Sequence, residues 1–187
     1  LARAIAFEVI LTFENDGRDD RFLGFLATIN TSTVYLAEVL GLHGDISSME
    51  PKKRLPKIML QNAKRETINS ATLANEKTTV IYFWSQTQMN HYRDTLERVK
   101  SFQEQYPKIR FVGICIQPFN TMVDEVQKIM EVDKENQFAL VDFENARKEW
   151  VLTLLNKAII LDSKGKIIEG FGNFSDSNFE SLLKKLN

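Results

Sequence analysis

Hydrophobic and polar positions along the chain fall into two regimes. Up to Gly41 the apolar residues keep helical spacing. Residues 4–13 form an apolar run interrupted by Glu8; it predicts a buried helix, because a membrane span needs about 20 apolar residues. A second helix is predicted from Asp19 and Asp20, whose carboxylates suit a helix N-terminus, with Phe22, Phe25, Leu26 and Ile29 at i, i+3, i+4 and i+7. The pattern resumes with Val34, Leu36, Ala37, Val39 and Leu40, so two or three helices are predicted before Gly41. Between Gly44 and Pro56 the composition turns to Gly, Ser, Pro and the basic triplet Lys52, Lys53 and Arg54, which is linker chemistry.

Beyond Pro56 short β-type runs alternate with helical ones. Strands are predicted at 57–60, 78–84, 109–116, 138–141 and 158–161. Helices are predicted through Met89, Tyr92, Leu96 and Val99, through Phe119, Met122, Val123, Val126, Ile129 and Met130, and over 146–152. The runs 78–84 and 111–116 show almost no polar alternation, as strands buried on both faces should. Gly165 in Asp162-Ser-Lys-Gly sits where a hairpin needs positive φ, so 159–161 and 166–169 should pair antiparallel. A final helix opens with the capping box Ser177-Asn-Phe-Glu180 and buries Phe179, Leu182, Leu183 and Leu186. The predicted organisation is an N-terminal helical segment over 1–44, a linker over 45–56, and an α/β domain over 57–187 with a central sheet flanked by helices.

Composition narrows the chemistry. With 187 residues, 43% of them hydrophobic, the chain can build a core without disulfide or metal staples. Lys and Arg number 24 against 25 Asp and Glu, so no net field draws it to nucleic acid or acidic lipid. The one cysteine, Cys115, excludes an intrachain disulfide, and the two histidines, His43 and His91, leave little for a metal site. Neither G-x-S-x-G nor G-x-x-x-x-G-K occurs, and Gly170-Phe-Gly172 is a lone pair of glycines, so serine-nucleophile and phosphate-loop chemistry are not supported. No cofactor or metal is expected. Because the chain opens on Leu1 rather than Met, a mature or partial chain is expected.

The order of elements and three stretches of sequence carry a resemblance. Ile81-Tyr-Phe-Trp84-Ser85-Gln86-Thr87-Gln88-Met89-Asn90-His91, Leu155-Asn156-Lys157-Ala158-Ile159-Ile160-Leu161-Asp162-Ser163-Lys164-Gly165-Lys166-Ile167 and Leu55-Pro56-Lys57-Ile58-Met59-Leu60 resemble the strand-and-turn, the proline-strand-hairpin and the opening strand of the TlpA and ResA type of thioredoxin-like thiol-disulfide oxidoreductases. The resemblance covers roughly 55–187 and implies a thioredoxin-like mixed sheet and, for family members, an extracytoplasmic bacterial location. Aligned without gaps, Gln88 stands at the first cysteine of the family dithiol, His91 at the second, and Asn156 at the cis-proline.

Those replacements remove the family chemistry. Disulfide exchange needs a thiolate to attack and a second thiol to resolve the mixed disulfide; Gln88 is not a nucleophile, and His91 could at most move a proton. A cis bond before a residue other than proline costs ~2.5–4 kcal/mol, so Leu155–Asn156 is expected to be trans. Trp84, Thr87 and Tyr92 are candidates for lining a recognition groove, set against the plainer reading that Trp84 and Tyr92 are core. His91 reads as a partly exposed polar residue with Asp94 as a helix-surface partner. Cys115 lies in Phe111-Val-Gly-Ile-Cys115-Ile, where a desolvated thiol has a raised pKa, no obvious base beside it, and no place with Thr87 and Arg93 at the lost motif. The expected function is a redox-inactive module that binds a protein or peptide or lends structural support. The alternative is a divergent thiol oxidoreductase or peroxidase acting through Cys115.

Overall fold

A computed structural model describes residues 33–74 and 76–187. The predicted helices at 4–13 and from Asp19 lie outside them. The chain divides into two compact units between Ser48 and Met49. Of the first, helix α1 (Thr33–Ser48) is described. It runs through Gly41 and Gly44 and ends beyond the point where the composition changes.

The second unit is built on seven strands: β1 (Met59–Gln61), β2 (Thr67–Asn69), β3 (Thr79–Trp84), β4 (Arg110–Cys115), β5 (Gln137–Leu140), β6 (Lys157–Leu161) and β7 (Ile167–Asn173). They lie in the order β2-β1-β5-β4-β3-β6-β7. β3, β4 and β5 are parallel, and the flanking pairs are antiparallel. The parallel pairs require crossover connections, which are supplied by helix α2 (Met89–Gln105) between β3 and β4 and helix α3 (Thr121–Ile129) between β4 and β5. Helices α4 (Phe143–Glu149) and α5 (Ser177–Leu186) complete the described set. This is the mixed, helix-flanked α/β sheet that the alternation of patterns predicts. β2 and the 3₁₀ turn Ser70–Leu73 are additions, too short and too half-exposed to leave a periodic trace.

Every residue of β3 is buried, which explains its unbroken apolar sequence: alternate side chains serve two cores. Val80, Tyr82 and Trp84 pack with Tyr92, Leu96, Val99 and Phe102 of α2 and with Phe179 and Leu183 of α5. From the same strand, Phe83 meets Trp150 at the end of α4, ring centroids 6.1 Å apart. One buried polar pair crosses the first core. Tyr82, Gly113 and Gln137 share a register across β3, β4 and β5, and Gln137 Nε2 donates to the Tyr82 hydroxyl at 2.9 Å. A Cβ on Gly113 would fall 2.6 Å from that hydroxyl, so only glycine leaves room for the bond.

The hairpin at Gly165 has the expected form. Gly165 has φ +78°, Asp162 N donates to Lys166 O at 2.8 Å, and β6 pairs antiparallel with β7. β7 extends to Asn173 and takes in both Gly170 and Gly172. The last helix is capped one residue earlier than the sequence pattern indicates. Asp176, not Ser177, is the N-cap, its carboxylate accepting from Asn178 N at 2.8 Å, since an ionised oxygen is the stronger acceptor for orphan amides. Phe179 and Leu183 of this helix are buried, with Leu182 and Leu186 packed against the core edge.

Candidate functional site

The parallel strands β3 and β4 end together, with Trp84 paired to Cys115. Each then runs into a turn, residues 85–88 and residues 116–120, and the two turns are tied by neutral groups. Gln86 N donates to Gln117 Oε1 at 3.0 Å, and Gln86 Nε2 to Pro118 O at 2.7 Å. Asn120 Nδ2 donates to Gln86 Oε1 at 2.7 Å, and Gln117 Nε2 to Ser85 Oγ at 2.8 Å. Ser85 Oγ and Thr87 Oγ1 lie 2.9 Å apart. The Gln86 carboxamide thus bridges from the turn after β3 to the loop after β4.

Gln88 is the N-cap of α2 without a side-chain capping bond, and it is exposed, as is Thr87. Trp84 and Tyr92, read from the sequence as possible groove residues, are corrected here. Both are buried and stack on each other at 3.9 Å with 13° between the planes, because β3 and the first turn of α2 turn these faces toward each other. They form the floor of the turn and offer no open face.

Cys115 is fully buried, yet it belongs to this place. Its Sγ accepts from Gln86 Nε2 at 3.6 Å and donates to Gln117 Oε1 at 3.5 Å. The sequence reading set the cysteine apart from the lost motif; the parallel register brings it beneath the turn. Burial pushes the thiol above its ordinary value, against the smaller opposing effect of hydrogen bonds with Gln117 and Gln86. Both side-chain partners are carboxamides, and neither can take its proton.

On the other side of α2 a cavity of about 200 Å³ separates the helix from the loop ahead of β6. His91, Asp94 and Arg98 line it from α2, Leu155 and Asn156 from the loop, and Phe174 and Ser175 from the segment after β7. Two of the positions read from the sequence, His91 and Asn156, therefore face one space, whereas Gln88 and Thr87 are not among its lining residues. His91 Nδ1 is buried and finds no hydrogen-bond partner among the described residues. The Arg98 guanidinium lies 5.3 Å from the Phe102 ring centroid. Asn156 follows a trans peptide, since no cis bond occurs among the described residues. Its carbonyl accepts from Phe174 N at 2.8 Å, and its Nδ2 donates to Asn173 Oδ1 at 3.1 Å. The backbone at Asn156 is thus held by bonds to the segment at the end of β7.

The residue after Asn156 carries a group that the sequence reading missed. Lys157, the first residue of β6, is buried, and its Nζ donates to Trp150 O at 2.6 Å and Val151 O at 3.2 Å. It also sits 4.3 Å from the Phe171 ring centroid. Burial lowers its pKa to about 7, against the favourable charge of Glu169. The sequence signal, a lysine opening an otherwise apolar strand, is faint, because nothing local tells a buried ammonium from an exposed one.

Among the described residues no group of three or more His, Cys, Asp or Glu is placed to hold a metal ion, and no helix is long and apolar enough to cross a membrane.

Three solved structures place this geometry among known folds. The chain is similar to the thioredoxin domain of a thiol-disulfide oxidoreductase from Bacteroides vulgatus, at 14% identity over 74% of this chain and 99% of that one, TM-score 0.59. It is similar to a thiol-disulfide oxidoreductase from Bacteroides fragilis, at 18% identity over 72% and 100% of the two chains, TM-score 0.57. It is also similar to a thiol:disulfide interchange protein from Bacteroides sp., at 14% identity over 75% and 92%, TM-score 0.57. No protein-family model matches the chain, and no curated protein does. At these identities the likeness carries the fold.

Proposed function

From the premise that the chain has a thioredoxin-like fold, we propose that it performs no disulfide exchange and works by binding a protein or peptide partner in the cavity between α2 and the Asn156 loop. The observation that carries this reading is the content of the turn. By the family resemblance Gln88 and His91 stand at the two thiol positions, and the one thiol nearby is buried and held between carboxamides. Exchange requires an accessible thiolate and a resolving thiol, and neither is at hand. A cavity with an apolar floor and convergent polar groups is the ordinary form of a recognition site. An extracytoplasmic location belongs to this proposal on the strength of the family resemblance.

The test is insulin reduction with dithiothreitol as electron source. Turbidity should develop no faster than in buffer, and Cys115→Ser should leave the trace unchanged. A rate above buffer that disappears in Cys115→Ser would establish the second reading, thiol chemistry through Cys115, which its place beneath the Ser85–Gln88 turn favours. The binding half is tested on a peptide array with His91→Trp, which fills the cavity. Bound peptides should be lost in the variant, and identical binding would remove the cavity from the proposal.

A further inference from the structure

We infer that Lys157 is a proton-operated latch on the loop between α4 and β6: proton uptake by its side chain opens residues 150–156 and so reshapes one wall of the cavity. This goes beyond the binding proposal and does not depend on it.

The geometry begins at the end of α4. The chain leaves the helix through Trp150 N→Ala146 O, Val151 N→Lys148 O and Leu152 N→Arg147 O, at 2.9, 3.1 and 3.0 Å. This turn puts Val151 at φ +49°, a left-handed conformation that a β-branched residue adopts only when its surroundings impose it. The carbonyls of Trp150 and Val151 are thereby directed inward, where the Lys157 amine meets both. From β7 the Phe171 ring covers the amine. The carboxylate facing it is Glu169, also of β7, which is itself engaged by Phe171 N at 2.7 Å. On α4, Arg147 and Glu144 pair with each other at the surface, 2.8 Å apart, Lys148 is exposed and Glu149 is half-buried, and the groups that bond the amine from this end are the carbonyls of Trp150 and Val151. The loop these contacts hold carries Leu155 and Asn156, which line the cavity beside His91.

The direction of the effect follows from solvation. A neutral amine keeps two N–H donors for the two carbonyls and costs little to bury. An ammonium needs more than two carbonyls, one ring and one carboxylate return for its lost water. With the loop open, the amine is hydrated and regains its ordinary basicity. The open state therefore binds a proton more tightly than the closed one, and falling pH favours opening until the closed state is protonated as well. Burial lowers the closed-state pKa to about 7 from 10.5, so opening should increase by up to tenfold per pH unit on going down from about 10 to 7, then level off.

Amide hydrogen exchange of the full chain reads this directly. Intrinsic exchange rises tenfold per pH unit; if opening falls tenfold over the same interval, the product is flat. The amides of Val151 and Leu152 should exchange at nearly constant rate between pH 7 and 9, while the Asn187 amide, bonded to Leu183 O at the end of α5 and freed by fraying that leaves Lys157 covered, accelerates normally. In Lys157→Met, the Val151 and Leu152 rates should rise tenfold per unit. A tenfold rise per unit in the native chain overturns the latch. Should the variant not fold, the ¹³Cε shift of Lys157 in the native chain decides: a midpoint near 7 supports the latch, and a midpoint above 10 overturns it.

Discussion

The turn at 85–88 follows β3 and the loop at 150–156 precedes β6, and they are held by opposite means. The turn is fixed by carboxamides and hydroxyls, which keep their protonation across the accessible pH range. Its neighbour Cys115 is sealed among them. The loop is fixed by one ionisable group, Lys157, under two carbonyls and a ring. One scaffold thus holds two kinds of site: one built of groups that keep their protonation, and one that carries a group able to take up a proton.

The largest test of this contrast is the stability of the whole chain against pH. Because burial lowers the folded-state pKa of Lys157 to about 7 while the unfolded chain keeps the ordinary 10.5, the unfolded state binds more protons between these values, and stability rises with pH. At up to about 1.4 kcal/mol per unit, urea denaturation should show a gain on the order of 3 kcal/mol between pH 7 and 9.5. The Lys157→Met profile should lack this gain, and a native profile without it would remove the contrast. A smaller effect is expected on the turn. Gln117→Ala leaves Gln86 N without its acceptor and removes one of the bonds to Ser85 Oγ, and should cost ~1–3 kcal/mol, equally at pH 6 and pH 9. A pH-dependent cost would show the turn to be coupled to the loop. The smallest is Cys115→Ala, which removes one buried sulfur and should cost about 1 kcal/mol. In the native chain iodoacetamide at pH 7 should leave Cys115 unmodified over hours, and labelling within minutes would mean that the thiol is not sealed.

The fold was legible where burial is decided by neighbours along the chain. β3 and β4 read as apolar runs because both their faces are covered, and α2 shows its buried stripe at Tyr92, Leu96, Val99 and Phe102. The Gly165 hairpin follows from a residue that tolerates positive φ. The three-residue β2 and the Asp176 cap turn on one or two local bonds, below the resolution of periodicity. The site was half legible. Alignment of short motifs indicated Gln88, His91 and Asn156, and His91 and Asn156 do face one cavity. It gave no hint that Trp84 and Tyr92 stack on each other.

What the amino-acid sequence determined by itself is the alternation of elements and the absence of paired thiols, since both are properties of residue type and order. Only the tertiary structure decided that Cys115 lies under the turn and that Lys157 is buried beneath the end of α4. The first follows from a parallel register joining residues 31 apart, Trp84 and Cys115. The second follows from two carbonyls that point inward because Val151 takes a left-handed conformation. Solvation of a thiol or an amine depends on everything that surrounds it in space, and a linear sequence records only what adjoins it along the chain.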